Sequence, residues 1–89
     1  MYRSELERLM TLASDEIEAA CRGDRLSSLI TRCADENLEL SELADDAAAQ
    51  CDVDRHSFYA QEAAAWRATA QVLRTMTRDR TRAGEQGAA

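Results

Sequence analysis

The stretch Phe58–Thr77, FYAQEAAAWRATAQVLRTMT, decides the fold of this chain. Read at helical spacing it carries two apolar seams. One is Phe58, Glu62, Ala65, Thr69, Val72, Met76; the other is Tyr59, Ala63, Trp66, Ala70, Leu73, Thr77. Each alternates steps of four and three, which keeps side chains on one line of a helix. Side by side, the seams make an apolar face wider than one neighbouring helix usually covers. Two arrangements satisfy such a face. Either an earlier helix folds back over the second seam, with Trp66 at the centre of a three-helix core, or another protein covers it. With so few elements in 89 residues, the second arrangement is the expectation, and Phe58, Tyr59, Ala65, Trp66, Thr69, Val72, Leu73 and Met76 are the candidate partner-binding residues.

Composition supports helix throughout: there is no Pro, only three Gly, and much Ala. Three of the four aromatic residues fall between Phe58 and Trp66. Much of the remaining apolar content is Ala, which allows close helix approach but buries little area, so a self-contained core is thin.

Working outward, Ser4 and Glu7 have capping-box spacing and predict a first helix, with Leu6, Leu9, Met10, Ala13, Ile17 and Ala20 as its apolar stripe. Gly23 can end it in a left-handed conformation. Asp24 or Ser27 can then cap a second helix over roughly 26–50. A break at 23–25 is the expectation; a kinked continuation is the alternative. The second helix carries the cleanest heptad: Leu26, Ile30, Cys33, Asn37, Leu40, Ala44, Ala47, Cys51. Its second half is small enough to receive Trp66 or Tyr59, and Asn37 on the seam can fix register. Asp52 or Asp54 can cap the third helix, which runs to about Arg78 and matches the second in length. The fold class is therefore all-α: an antiparallel helical hairpin preceded by a shorter N-terminal helix, one domain over 1–82. Residues 83–89 collect Gly and polar residues and are expected to form a disordered tail.

Charge is unevenly spread. Residues 1–54 hold 14 acids against 5 Arg, and residues 55–89 hold 3 acids against 6 Arg, within a net charge of −6. That balance opposes nucleic acid as a partner and favours antiparallel packing of the two halves. Arg74, Arg78, Arg80 and Arg82 are expected to complement the negative end of the third helix. Acid pairs such as Asp35–Glu39 and Glu42–Asp46 read as a solvated helix face.

Chemistry is poorly represented. His56 is the only His, in the first turn of the third helix, where the helix dipole disfavours the imidazolium. Cys21, Cys33 and Cys51 have neither zinc-ligand nor CxxC spacing, and an odd number suits reduced thiols in a cytosolic protein. No catalytic residue, metal ligand or cofactor is expected. No apolar stretch approaches membrane-spanning length, and the N-terminus lacks a leader pattern.

The tract Asp52–Leu73 resembles the last helix of small type III secretion needle co-chaperones, the YscE-like family. The residues that carry the likeness are Arg55-His56, Phe58-Tyr59, Glu62, Ala63, Ala65-Trp66 and Val72-Leu73. The opening Leu6-Glu-Arg-Leu9-Met10 is similar to the start of the longer members. His56, Trp66 and Arg67 depart from the family pattern. The resemblance implies a bacterial cytoplasmic, non-enzymatic protein that pairs with a larger helical-repeat co-chaperone and helps keep a needle or secreted subunit monomeric. A self-assembling hairpin, as a homodimer or four-helix bundle, is the competing expectation from the heptad and Asn37.

Overall fold

A computed structural model describes the backbone of residues 2–88 and the side chains of residues 2–81. The described residues form four helices: α1 (Tyr2–Leu9), α2 (Ser14–Cys21), α3 (Leu26–Ala49) and α4 (Val53–Ala88). The all-helical hairpin is as expected, with α3 antiparallel to α4 along its length. The helix number is not. The expected first helix is two short helices, separated by a turn at 10–13.

The turn has a local cause. Met10 takes a left-handed conformation (φ 57°), and the Glu16 carboxylate reaches back to accept the Ala13 backbone N–H at 2.9 Å. That is half of a capping box, and it starts α2. The helix before it already runs at Tyr2, so Ser4 lies inside α1 rather than capping it. Reversal at this point lets both short helices pack against the long hairpin, where a straight rod could bury only one stripe.

The remaining turns share one motif. Gly23 (φ 81°) donates to Ala20 O at 2.9 Å, and Asp24 donates to Ala19 O at 2.8 Å. Cys51 (φ 58°) donates to Ala48 O at 3.0 Å, and Asp52 donates to Ala47 O at 2.9 Å. Both pairs are Schellman closures of the preceding helix. The break at 23–25 is therefore real. Neither Asp24 nor Ser27 caps α3, however. Its N-cap is Arg25, itself left-handed and without a side-chain cap bond, while Asp24 pairs with Arg22 at 3.2 Å. At the second turn Asp52 behaves as expected, accepting the Arg55 N–H at 3.1 Å.

The expected end of the last helix near Arg78 is corrected, because α4 continues to Ala88. Apolar periodicity ends there, but helix propensity does not. Arg74, Arg78 and Arg80 thus sit within the helix rather than at its end. The guanidinium of Arg80 lies against Gly23, where a Cβ would stand. The expected tail, 83–89, lies outside the residues whose side chains are described.

The core occupies one half of the hairpin. Leu6, Leu12, Ile17 and Ala20 from the first two helices meet Leu26, Leu29 and Cys33 of α3 and Trp66, Ala70, Leu73 and Met76 of α4. The Tyr2 hydroxyl donates to Asp79 and the Thr11 hydroxyl to Thr69 Oγ1, whose own proton goes to Ala65 O at 2.9 Å. These bonds fix α1 antiparallel to α4 and stop it near the level of Trp66. Beyond that level α3 and α4 continue as a two-helix arm. Its own interior is mostly Ala44, Ala47 and Ala63.

Candidate functional site

The double seam of α4 divides at the edge of the α1–α2 layer. Trp66 is 8% exposed, and Thr69, Leu73 and Met76 are also buried. Val72 and Ala65 are half-buried, as is Tyr59; Phe58 is 57% exposed. The expectation that Trp66, Thr69, Leu73 and Met76 are left for a partner to cover is therefore corrected, since the chain's own core buries them. Leu12, within the turn at 10–13, and Ile17, in α2, join Trp66 in the core and supply the cover that a single straight helix could not.

Trp66 marks the boundary. The Arg32 guanidinium stands 5.3 Å above its ring, a cation–π distance, and is held there by an ion pair with Glu16. Glu16 serves two partners, Ala13 N–H and Arg32. The backbone bond first, and Arg32 after it, hold its carboxyl below the usual range against the opposing effect of burial.

Past this boundary the arm displays large apolar side chains to solvent. Of the five most exposed, Leu38, Leu43, Val53 and Phe58 belong to the arm, and Met10 (88% exposed) sits on the turn beside it. Phe58 and Tyr59 pack edge to face, with centroids 5.5 Å apart and planes at 68°. A shallow cleft of about 170 Å³ runs beside Tyr59, lined also by Leu43, Asp46, Ala47, Gln50 and Arg55. Heptad spacing puts Leu43 on the same line of α3 as Leu29, which faces the core. By the same spacing Phe58 and Ala65 continue the line of Val72 on α4. The arm's open face is thus the continuation of the face that α1 and α2 cover lower down.

Sequence reasoning found Phe58 and Tyr59 but missed Leu38, Leu43, Val53 and Met10. A signal existed for the first two. They are leucines off the heptad seam of α3, set among acids on a helix face read as merely solvated.

Other expected features fall as follows. Asn37 is half-buried, and its Oδ1 has no hydrogen-bond partner among the described residues. It lines a cleft with Cys33, Ala34, Arg67, Ala70, Gln71 and Arg74. His56 Nδ1 lies 2.9 Å from Ala44 O. A carbonyl only accepts, so the proton is on Nδ1, and the ring ties α4 to α3. All three cysteines are free; Cys33 is buried, and Cys21 and Cys51 are exposed. Among the described residues no helix is long and apolar enough to cross a membrane.

The arrangement is a bundle end that closes itself and an arm end that does not. It bears directly on the comparison with known families, in which the model of the TY-Chap C-terminal domain matches residues 1–80. This chain belongs to that family. No curated protein and no solved structure matches it. As a TY-Chap C-terminal domain the chain is chaperone-related, in agreement with the coarser part of the resemblance seen in the sequence. The match is to the TY-Chap C-terminal domain and does not itself single out the YscE-like proteins. The match spans both short helices, the complete α3 and α4 as far as Arg80, so it takes in bundle and arm together.

Proposed function

We propose that this TY-Chap C-terminal domain is a non-catalytic protein-binding module of a chaperone, and that the open face of its arm docks a helix of a partner protein. One observation carries the reading. The layer formed by α1 and α2 stops at Trp66, and the exposed large apolar residues gather beyond the stop. A partner helix laid beside Leu43, Phe58 and Tyr59 completes the layer on the arm as α1 and α2 complete it on the bundle. Large apolar side chains gathered on one open face mark an interaction site. Burial of Phe58 and Leu43 contributes about 1.5–3 kcal/mol each before ordering costs.

In finer terms, the chain acts in a bacterial type III secretion system, in the cytoplasm. It pairs there with a larger helical-repeat co-chaperone and so helps keep a needle or secreted subunit monomeric. Chaperone-related family membership and the resemblance of Asp52–Leu73 support this assignment. The test is co-purification of the chain with the products of neighbouring genes. Phe58→Asp with Leu43→Asp, in a chain of unchanged helicity, is expected to release the partner. Retention of every native partner by that double variant overturns the reading.

A homodimer is the second reading, favoured by Leu38, which is exposed on the side of α3 away from Leu43. Light scattering separates the two, since a concentration-independent monomer excludes the dimer.

A further inference from the structure

Each exposed apolar residue on the open face is bracketed by carboxylates. Glu39 lies one turn before Leu43 and Asp46 one turn after it; Asp54 and Glu62 stand in the same relation to Phe58. All four acids are exposed, and none has an ion-pair partner among the described residues. Residues 34–66, which make up the arm, hold nine acids against one base, Arg55. That base is occupied by Asp52 at 3.6 Å. A carboxylate rim around an apolar centre raises the cost of docking any acidic partner and favours a cationic one.

We propose that the docking face of the arm takes a basic amphipathic helix of the partner protein, with Lys or Arg flanking its apolar stripe. This rests on the arm being the docking surface. A helix fits the shape, because the groove between two antiparallel helices is what α1 and α2 already fill on the bundle. Its length follows from the open part of α3, residues 37–49, which span about 20 Å and match a helix of roughly 12–14 residues. Leu43, Phe58 and Tyr59 meet the apolar stripe, and Glu39, Asp46, Asp54 and Glu62 meet the flanking cations. The bundle end carries the opposite sign at Arg67, Arg74 and Arg78, so the polarity also orients the incoming chain.

The experiment titrates the intact chain with three labelled 14-residue peptides, followed by fluorescence anisotropy. One has Leu on a helical stripe and Lys elsewhere, the second replaces Lys with Glu, and the third keeps Lys but replaces Leu with Ser. The Leu/Lys peptide is expected to bind at least tenfold more tightly than either of the others. Phe58→Ser, and separately the four-fold change of Glu39, Asp46, Asp54 and Glu62 to their amides, are each expected to weaken it at least tenfold, with circular dichroism unchanged. Equal binding of Leu/Glu and Leu/Lys, lost in Phe58→Ser, overturns the basic occupant and leaves the arm as a docking face. Equal binding of Ser/Lys overturns it as bare charge attraction. No binding of any peptide overturns it too, whereas the docking role itself is judged separately by native partner retention. Self-association that Phe58→Ser removes, with no peptide bound, replaces the partner with a second copy and overturns the proposal.

Discussion

The guanidinium of Arg32 roofs the indole of Trp66 at 5.3 Å and is tethered from the other side by Glu16. Three helices therefore meet at the point where the covered half of the hairpin ends. Closure of the core at this edge depends on a charge pair rather than on further apolar packing.

An acid sensitivity follows from that pair. Glu16 has its carboxyl held below the usual range by Ala13 N–H and Arg32. A lowered folded-state pKa stabilises the protein above the unfolded value, and the contribution is lost as pH falls through the folded value. The Glu16→Gln variant is expected to be less stable than the parent at pH 7, with the gap closing toward pH 3. Urea unfolding followed by circular dichroism at both pH values measures it. A gap that widens in acid contradicts the assignment.

Thr69 is buried, with its hydroxyl bonded to Ala65 O and receiving the Thr11 hydroxyl. Thr69→Val keeps the shape but leaves Thr11 without its acceptor. The expected cost is about 1 kcal/mol. It is expected to be accompanied by faster hydrogen exchange at residues 10–13, because this bond anchors the α1–α2 turn on α4. Exchange that rises uniformly along the chain is the contrary result.

How far the sequence disclosed this architecture can be judged at particular residues. The hairpin was legible because α3 and α4 are long, Asp52 caps the return, and both heptads persist for several turns. The α1–α2 turn was not, because Met10 and Leu12 give no Gly or Pro signal there. The left-handed Met10 and the Glu16 carboxylate on the Ala13 N–H make the turn without either residue that usually announces one. That missed turn changed the reading of Trp66, since Leu12 and Ile17 reach the second seam only after the chain reverses. Leu43 was hidden for a different reason: one leucine between acids reads as a lapse in a solvated face until its neighbour Tyr59 is located.

The two Schellman turns make opposite predictions. Gly23 has φ 81° and faces the Arg80 guanidinium, so Gly23→Ala costs the left-handed penalty of about 1–2 kcal/mol. Cys51 bears that strain already at φ 58°, and Cys51→Gly relieves it. A gain of up to about 1 kcal/mol is expected, reduced by the added freedom of Gly in the unfolded chain. Thermal melts of the two variants should move in opposite directions; movement in the same direction removes the strain argument.

Burial pushes the Cys33 thiol above its ordinary range, while Cys21 and Cys51 are exposed. Titration with an aromatic disulfide reagent at pH 8 is expected to show two fast thiols per chain. The third should react only as fast as the bundle opens, and at once in denaturant, since the thiolate is the reactive form. Three equally fast thiols would mean that the Cys33 end of the core is open.

Trp66 and Phe58 lie eight residues apart on one helix, yet they belong to different tasks. Trp66 fills the core, so Trp66→Ala is expected to cost about 3–5 kcal/mol, a large share of what an 89-residue domain has. Its effect on any partner is then an effect of unfolding. Phe58 is 57% exposed on the arm, and Phe58→Ser should change stability by less than about 0.5 kcal/mol. Denaturant unfolding of both, beside partner capture by both, separates the tasks. A Phe58→Ser chain as destabilised as Trp66→Ala would place Phe58 in the core, and the arm would lose its claim to be the surface kept open for another protein.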